Sequence, residues 1–210
     1  NEVGNALRNM CWQQCQICGD DERQAAALGC TNTHFTNPHG LNDSNHYTTP
    51  HDMALIARAA FQNDVVKTVA STRTYTLPAT IKNPSGLTVT IGHKMLNPND
   101  ARYYPGVIGG KTGYTSKAGN TLVTAVEKDG VRLIAVIMKS KSTHYTDTKA
   151  LFDYGYELVK AGALSGSAGS TGSSDNAGTT GSSSGMGNAV REHPQPRAGT
   201  GQQWMVLCEG

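Results

Sequence analysis

The chain has 210 residues, a formal net charge of +2 and a sequence pI near 8.3. A charge so close to balance gives no large field of one sign, which argues against avid nucleic-acid or membrane-surface binding. No stretch approaches the roughly 20 apolar residues of a membrane span, and no charged-then-apolar leader opens the chain.

The opening NEVGNALRN reads as the middle of a helix. It is followed by NMCWQQCQICGDDERQ, in which Cys11, Cys15 and Cys18 have the C-x3-C-x2-C spacing of a three-thiolate iron–sulfur or metal site. His34, His39, His46 and His51 come next, within eighteen positions. No two of them have the i, i+4 helical spacing or the C-x2-C-like context of zinc sites, so they read as loop and surface histidines and no metal is expected. Cys30 and Cys208 have no evident partner, and the five cysteines make no disulfide framework.

TPHDMALIARAAFQND predicts a helix, with Thr48 or Thr49 as cap before Pro50 and with Met53, Ile56, Ala57, Ala60 and Phe61 on one face. STRTYTLPAT and GLTVTIGHKM are rich in β-branched residues at period two and predict strands. NTLVTAVEKDGVRLIAVIMKS has two apolar runs joined at Lys128, Asp129 and Gly130, and Asp-Gly between such runs signals a hairpin. YTDTKALFDYGYELVK then spaces Ala150, Leu151, Tyr154 and Leu158 as a helix would. A three-strand antiparallel run closed by a packed helix is an α+β arrangement.

From Leu164 to Gly187 the chain is Gly/Ser-rich with almost no apolar side chains, too few to offset the entropy of ordering. The remainder is too short and polar for a core of its own. Residues 1–162 are therefore expected to hold the fold and 163–210 to be a disordered, non-catalytic tail.

The chemistry-bearing stretch is GVIGGKTGYTSKAGN, where Lys111, Thr112 and Gly113 form a K-T-G triplet on the strand before the hairpin. On an edge strand Lys111 and Thr112 point to opposite sides or straddle a cleft. Gly113 removes a side chain where a substrate backbone must come close. An ammonium beside a hydroxyl suits a terminal carboxylate.

GCTNTHFTNPHGLNDSNHYTTPHDMALIARAA, YYPGVIGGKTGYTSKAGNTLVTAVEKDGVRLIAVIMKS and ALFDYGYE resemble the D-alanyl-D-alanine carboxypeptidases, the low-molecular-weight penicillin-binding proteins, over Gly29 to Lys160. K-T-G, with S-x-x-K and an S-D-N-type triplet, is the signature of that class and of serine β-lactamases. The resemblance implies part of a penicillin-binding/β-lactamase-like transpeptidase fold, an antiparallel sheet packed with helices. It also implies an active-site serine that attacks the penultimate D-alanine carbonyl of a peptidoglycan stem peptide, with β-lactams as inhibitors and no cofactor. It places the reaction outside the cytoplasm. By the same resemblance Lys111 serves the substrate carboxylate and proton transfer, and Thr112 hydrogen-bonds the carboxylate. Gly113 permits close approach, the Tyr114 backbone N–H is an oxyanion donor, and Lys141 is a further carboxylate-binding base. Relatives often carry His at the place of Tyr114, where only the backbone is needed.

The sequence departs from that pattern in one respect that bears on activity: it contains no S-x-x-K. Ser174, Asp175 and Asn176 spell S-D-N, but after K-T-G and within the Gly/Ser-rich segment, a coincidence of composition. The family's S-x-N precedes a helix like NEVGNAL, which makes Asn1 its last residue and a catalytic candidate. The chain thus reads as a fragment that begins inside the second motif, inactive alone and poorly soluble or loosely packed. Residues 8–22 have no apolar stripe where the family has one. Their codons read one nucleotide later permit such a stripe, so a pair of compensating frameshifts would explain the three cysteines. The competing readings are a metal-binding protein using Cys11, Cys15 and Cys18, and a non-catalytic peptidoglycan-binding remnant.

Overall fold

The structure is a computed structural model that describes residues 17–163, 190–191 and 203–209. Asn1, Cys11, Cys15 and the Ser174–Asn176 triplet lie outside the described residues. Helix α1 covers 17–27, and a loop with one isolated bridge, His34 to Tyr47, leads to α2 (Pro50–Gln62). The start of α2 is set locally. The Thr49 hydroxyl accepts the Asp52 N–H at 3.1 Å, and Pro50 takes the first turn, where its missing N–H costs nothing. Asn63 ends α2 and caps α3 (Asp64–Ser71), its side-chain oxygen accepting from the N–H groups of Val65 and Val66.

Two short strands follow, β1 (Thr74–Leu77) and β2 (Leu87–Thr90), which pair only with each other. The main sheet is antiparallel with order β3-β4-β5-β7-β6. Its strands are β3 (Val107–Thr115), β4 (Gly119–Lys128), β5 (Val131–Ser140), β6 (Val190–Arg191) and β7 (Gln203–Glu209). The β4–β5 hairpin closes on Asp129 (φ 52) and Gly130 (φ 77), the left-handed pair of a type I′ turn, as Asp-Gly predicts. Helix α4 (His144–Lys160) lies on one face of the sheet, and α2 and α3 lie on the other.

Alternation along the strands sorts the core into two layers. Leu122, Val126, Leu133, Ala135, Ile137 and Cys208 meet Phe152 of α4, while Ala125, Ile134, Val136, Met205 and Leu207 meet Ala54, Ala57 and Phe61 of α2. Phe152 is fully buried, worth about 1.5–3 kcal/mol relative to exposure.

Three sequence expectations change. The buried face of α4 is Tyr145, Thr148, Phe152 and Gly155, while Ala150 and Tyr154 are exposed. The helix approaches the sheet through Gly155, whose added Cβ would lie 2.8 Å from Leu133. A reading by hydrophobicity passes over a threonine and a glycine. On α2 the fully covered positions are Asp52, Ala54, Leu55, Ala57 and Phe61, with Met53 packing partly, so the inner face is broader than the one predicted.

The largest change is at the far end of the chain. Residues 203–209, expected to be tail, form a strand beside β5 with Met205, Leu207 and Cys208 buried. A strand needs no core of its own. β7 borrows both faces of a sheet already covered by helices. The sheet and α2 are accordingly well packed, against the expectation of faces stripped of partners. Large apolar side chains remain exposed elsewhere, on α3 (Val65, Val69) and on the β1–β2 pair (Tyr75, Leu87).

Candidate functional site

Among the described residues β3 is an edge of the main sheet, with no strand paired on its outer side. Lys111 is opposite Val123 and Gly113 opposite Thr121; Thr112 is opposite Leu122 on the other face. Lys111 and Thr112 therefore point to opposite sides of an edge strand. Lys111 is exposed, its Nζ donating to the Thr112 carbonyl, and Thr112 is half-buried. Tyr114 is 72% exposed. Lys141 follows the end of β5 and is exposed. The pairing Tyr114 to Asn120 to Ser140 brings Lys141 to the same end of the sheet as the triplet. The structure thus gathers Lys111, Thr112, Gly113 and Tyr114 on one strand and sets Lys141 two strands away.

Residues outside the triplet hold this edge in place. Asn120 donates its side-chain N–H groups to the carbonyls of Ser140 (3.2 Å) and Lys141 (2.6 Å), where the β4–β5 register shifts and Lys139 takes a left-handed φ of 57°. At the other side of β3 the loop before α2 is pinned by Asp52, which is 1% exposed. Its carboxylate accepts from the Asn32 N–H and the Thr33 hydroxyl, each at 2.8 Å, and meets His51 at 3.1 Å. Burial opposes its ionisation, but these hydrogen bonds outweigh burial and hold the carboxyl below the usual range. Buried Asn37 folds the following turn, accepting from the Gly40 N–H and donating to the Leu41 carbonyl. The turn ends at Asn42, whose side-chain oxygen accepts from the Thr115 hydroxyl at 2.9 Å. The loop is thereby tied to the strand two residues beyond the triplet.

Behind β3, on the face away from Lys111, His93 is 2% exposed, with Nε2 2.9 Å from the Thr124 hydroxyl. Its Nδ1 has no partner among the described residues. Burial pushes its pKa down from 6.5 to about 4, and His144 nearby acts in the same direction. His144 is itself lowered, by burial and by Arg102. The unfolded chain therefore takes up protons that the fold excludes between pH 6.5 and about 4. Stability is full above 6.5 and is lost as pH falls through that window, by about 3 kcal/mol for His93. Urea midpoints measured across this range should fall accordingly, and His93→Asn should lose most of the slope. A flat wild-type profile would mean that His93 is solvated.

Of the four histidines His34, His39 and His46 are in the loop, while His51 is in the first turn of α2, and each has a local role. His34 Nδ1 donates to the Asn45 carbonyl, His39 and His46 accept from the N–H groups of Leu41 and Thr36, and His51 meets Asp52. Cys18 is on α1, Cys30 donates to the Asp52 carbonyl, and Cys208 is in the sheet. Among the described residues no three His, Cys, Asp or Glu side chains gather as a metal site. A cavity of about 330 Å³ lies between α1 and the loop, lined by Ala25, Leu28, Phe35, Asn37, His46 and Ile56 among others. None of Lys111–Tyr114 lines it.

Sequence reading missed Asp52, Asn42, Asn120 and His93. Asp52 carried a signal, an acid three residues after a capping threonine. The other three act through contacts that no local pattern announces.

The profile of a family described as D-alanyl-D-alanine carboxypeptidase matches residues 21–142. The chain is 32% identical over 165 residues to the D-alanyl-D-alanine carboxypeptidase DacB2 of Mycobacterium tuberculosis, covering 75% of this chain and 54% of that one. It is 32% identical over 137 residues to a Streptomyces D-alanyl-D-alanine carboxypeptidase, covering 64% and 46%. The crystal structure of a D-alanyl-D-alanine carboxypeptidase from M. tuberculosis superposes with a TM-score of 0.57 at 33% identity, over 65% of this chain and 51% of that one. A mutant of a Streptomyces DD-transpeptidase gives 0.62 at 29% identity, over 69% and 56%. The chain spans about half the length of the curated relatives it matches.

Proposed function

The chain belongs to the D-alanyl-D-alanine carboxypeptidase family, and from that premise we propose that β3 forms one wall of a site for peptidoglycan stem peptides ending in D-Ala-D-Ala. The observation that carries this reading is the position of Lys111, Thr112 and Gly113 on an exposed sheet edge. A peptide can lie along that edge as an added strand, its terminal carboxylate between the Lys111 ammonium and the Thr112 hydroxyl. The reaction is serine-type hydrolysis. A serine oxygen adds to the penultimate D-alanine carbonyl, the C–N bond breaks and the leaving amine takes a proton to depart as D-alanine. Water then cleaves the acyl ester.

Lys111 lowers the cost of bringing the carboxylate to the wall and sits where it can join the proton network. The Tyr114 backbone N–H faces the oxyanion, an interaction whose loss elsewhere costs about 3 kcal/mol. Lys141, held by Asn120 at the same end of the sheet, is a second cation for the carboxylate, and Asn1 belongs to the S-x-N element. β-Lactams, which mimic the D-Ala-D-Ala terminus, are ligands of the completed site. The substrate places the reaction outside the cytoplasm.

The serine and its lysine are the missing parts, since no S-x-x-K occurs in the sequence. A chimaera supplying the S-x-x-K portion of the M. tuberculosis relative ahead of residue 21 tests the wall directly. It should release D-alanine from diacetyl-Lys-D-Ala-D-Ala. Lys111→Ala in the same chimaera should lower kcat/KM by roughly 100-fold or more, on the scale of removing a charge-assisted contact and a proton-transfer group together. Near-normal turnover by that variant would remove Lys111 from the site.

A further inference from the structure

Lys111, Gly113, Thr121 and Val123 share one face of the sheet. Lys111 is opposite Val123 and Gly113 opposite Thr121, and Val123 packs with the layer under α2. Position 113 has no side chain, and the Thr121 hydroxyl takes the space above it. A Cβ added to Gly113 would lie 2.4 Å from Thr121 Oγ1 but 3.9 Å from Thr121 Cβ. The hydroxyl therefore leans off β4 and over β3, toward the open edge.

Thr121 is half-buried, and its hydroxyl takes no hydrogen-bond partner among the described residues. Of the other threonines on the two strands Thr115 and Thr124 are engaged, while the Thr112 hydroxyl, at the carboxylate end of the triplet, has no side-chain hydrogen bond among the described residues either. Thr115 donates to Asn42 and accepts from the Ala118 N–H, and Thr124 meets His93. A half-buried hydroxyl with no partner, aimed over the glycine of a ligand-binding strand, is a donor and an acceptor waiting for a polar group.

We propose that Thr121 is a substrate-binding residue that hydrogen-bonds a backbone peptide group of the bound stem peptide. This rests on the reading of β3 as the substrate wall. Lys111 and Gly113 are two residues apart on a strand, about 6.6 Å, and an extended peptide advances about 3.3–3.6 Å per residue. The carboxylate lies at the Lys111–Thr112 end and the peptide runs toward Tyr114, so the Thr121 hydroxyl, opposite Gly113, is level with the backbone of the terminal D-Ala-D-Ala. It reads the peptide backbone, and Lys111 and Thr112 read the carboxylate.

The full 210-residue chain can be titrated by ¹⁵N NMR with diacetyl-Lys-D-Ala-D-Ala and with the same peptide amidated at its C-terminus. Thr121→Val, which keeps the shape and removes the hydroxyl, should weaken both peptides by about three- to tenfold, the effect of one hydrogen bond. Thr121→Ser should bind as wild type. Lys111→Ala should weaken the free acid and leave the amide unchanged. Wild-type affinity in Thr121→Val overturns the proposal, as does a loss in Thr121→Ser equal to that in Thr121→Val, which marks a packing role. Absence of any shift at the Gly113 and Thr121 amides at millimolar peptide also overturns it. If Lys111→Ala leaves the acid unchanged while Thr121→Val weakens both peptides, the carboxylate reading of Lys111 fails and Thr121 stands.

Discussion

The purified 210-residue chain should form no covalent adduct with fluorescent penicillin and should release no D-alanine from diacetyl-Lys-D-Ala-D-Ala. Capture of a β-lactam needs a hydroxyl activated by an adjacent base and set opposite the oxyanion donors. The sequence supplies no serine with a lysine three residues on. Ser44 and Ser116 are exposed, and the buried Ser140 hydroxyl is occupied with Thr143 at the start of α4. Loss of a serine nucleophile in a comparable enzyme costs on the order of 10⁶ in kcat, which places turnover at background. The proposed wall of Lys111, Thr112 and Gly113 needs no nucleophile to bind a peptide, so binding without cleavage is expected. A labelled band on a denaturing gel that unlabelled penicillin competes away would show that a nucleophile is present in this chain.

Gly110→Val should prevent folding or destabilise the chain by about 3 kcal/mol or more, at or beyond the top of the usual cost of overfilling a packed position, because one of the clashes is with backbone. A Cβ at position 110 would lie 2.4 Å from the Val123 carbonyl oxygen and 2.5 Å from His93 Nε2. The first is backbone of the neighbouring strand and cannot retreat without opening the β3–β4 ladder. The second is a buried ring already held to Thr124. Gly92→Ala is the control. The nearest atom there is Thr112 Oγ1 at 3.8 Å, an ordinary contact, and the change should stay within about 1 kcal/mol. Urea melts followed by circular dichroism separate the two. A cooperative Gly110→Val transition close to wild type would mean that β3 does not pack against His93 and Val123 as described. Because Gly110 immediately precedes Lys111, the same contacts that make the glycine necessary also fix the line of the triplet.

The sequence by itself determined the local elements. Thr48 or Thr49 before Pro50 marked the start of α2, Asp129-Gly130 set the β4–β5 turn, and the K-T-G triplet marked the strand to which the proposed site is assigned. Each of these is short-range, a cap, a left-handed turn or a contiguous motif, and needs no knowledge of what packs against it. Tertiary structure decided the rest. Gln203–Glu209 looked like tail because its flanks are polar and it has no amphipathic partner in sequence, yet both its faces are buried by helices from the middle of the chain. The packed face of α4 runs through Thr148 and Gly155 because a close approach to Leu133 favours small side chains over apolar ones. Asn42, Asn120 and His93 support the triplet across gaps of 73, 20 and 31 residues to Thr115, Ser140 and Thr124. A hydrogen bond or a steric contact over such separations depends on where the sheet brings the strands, and no local pattern in the chain encodes that meeting.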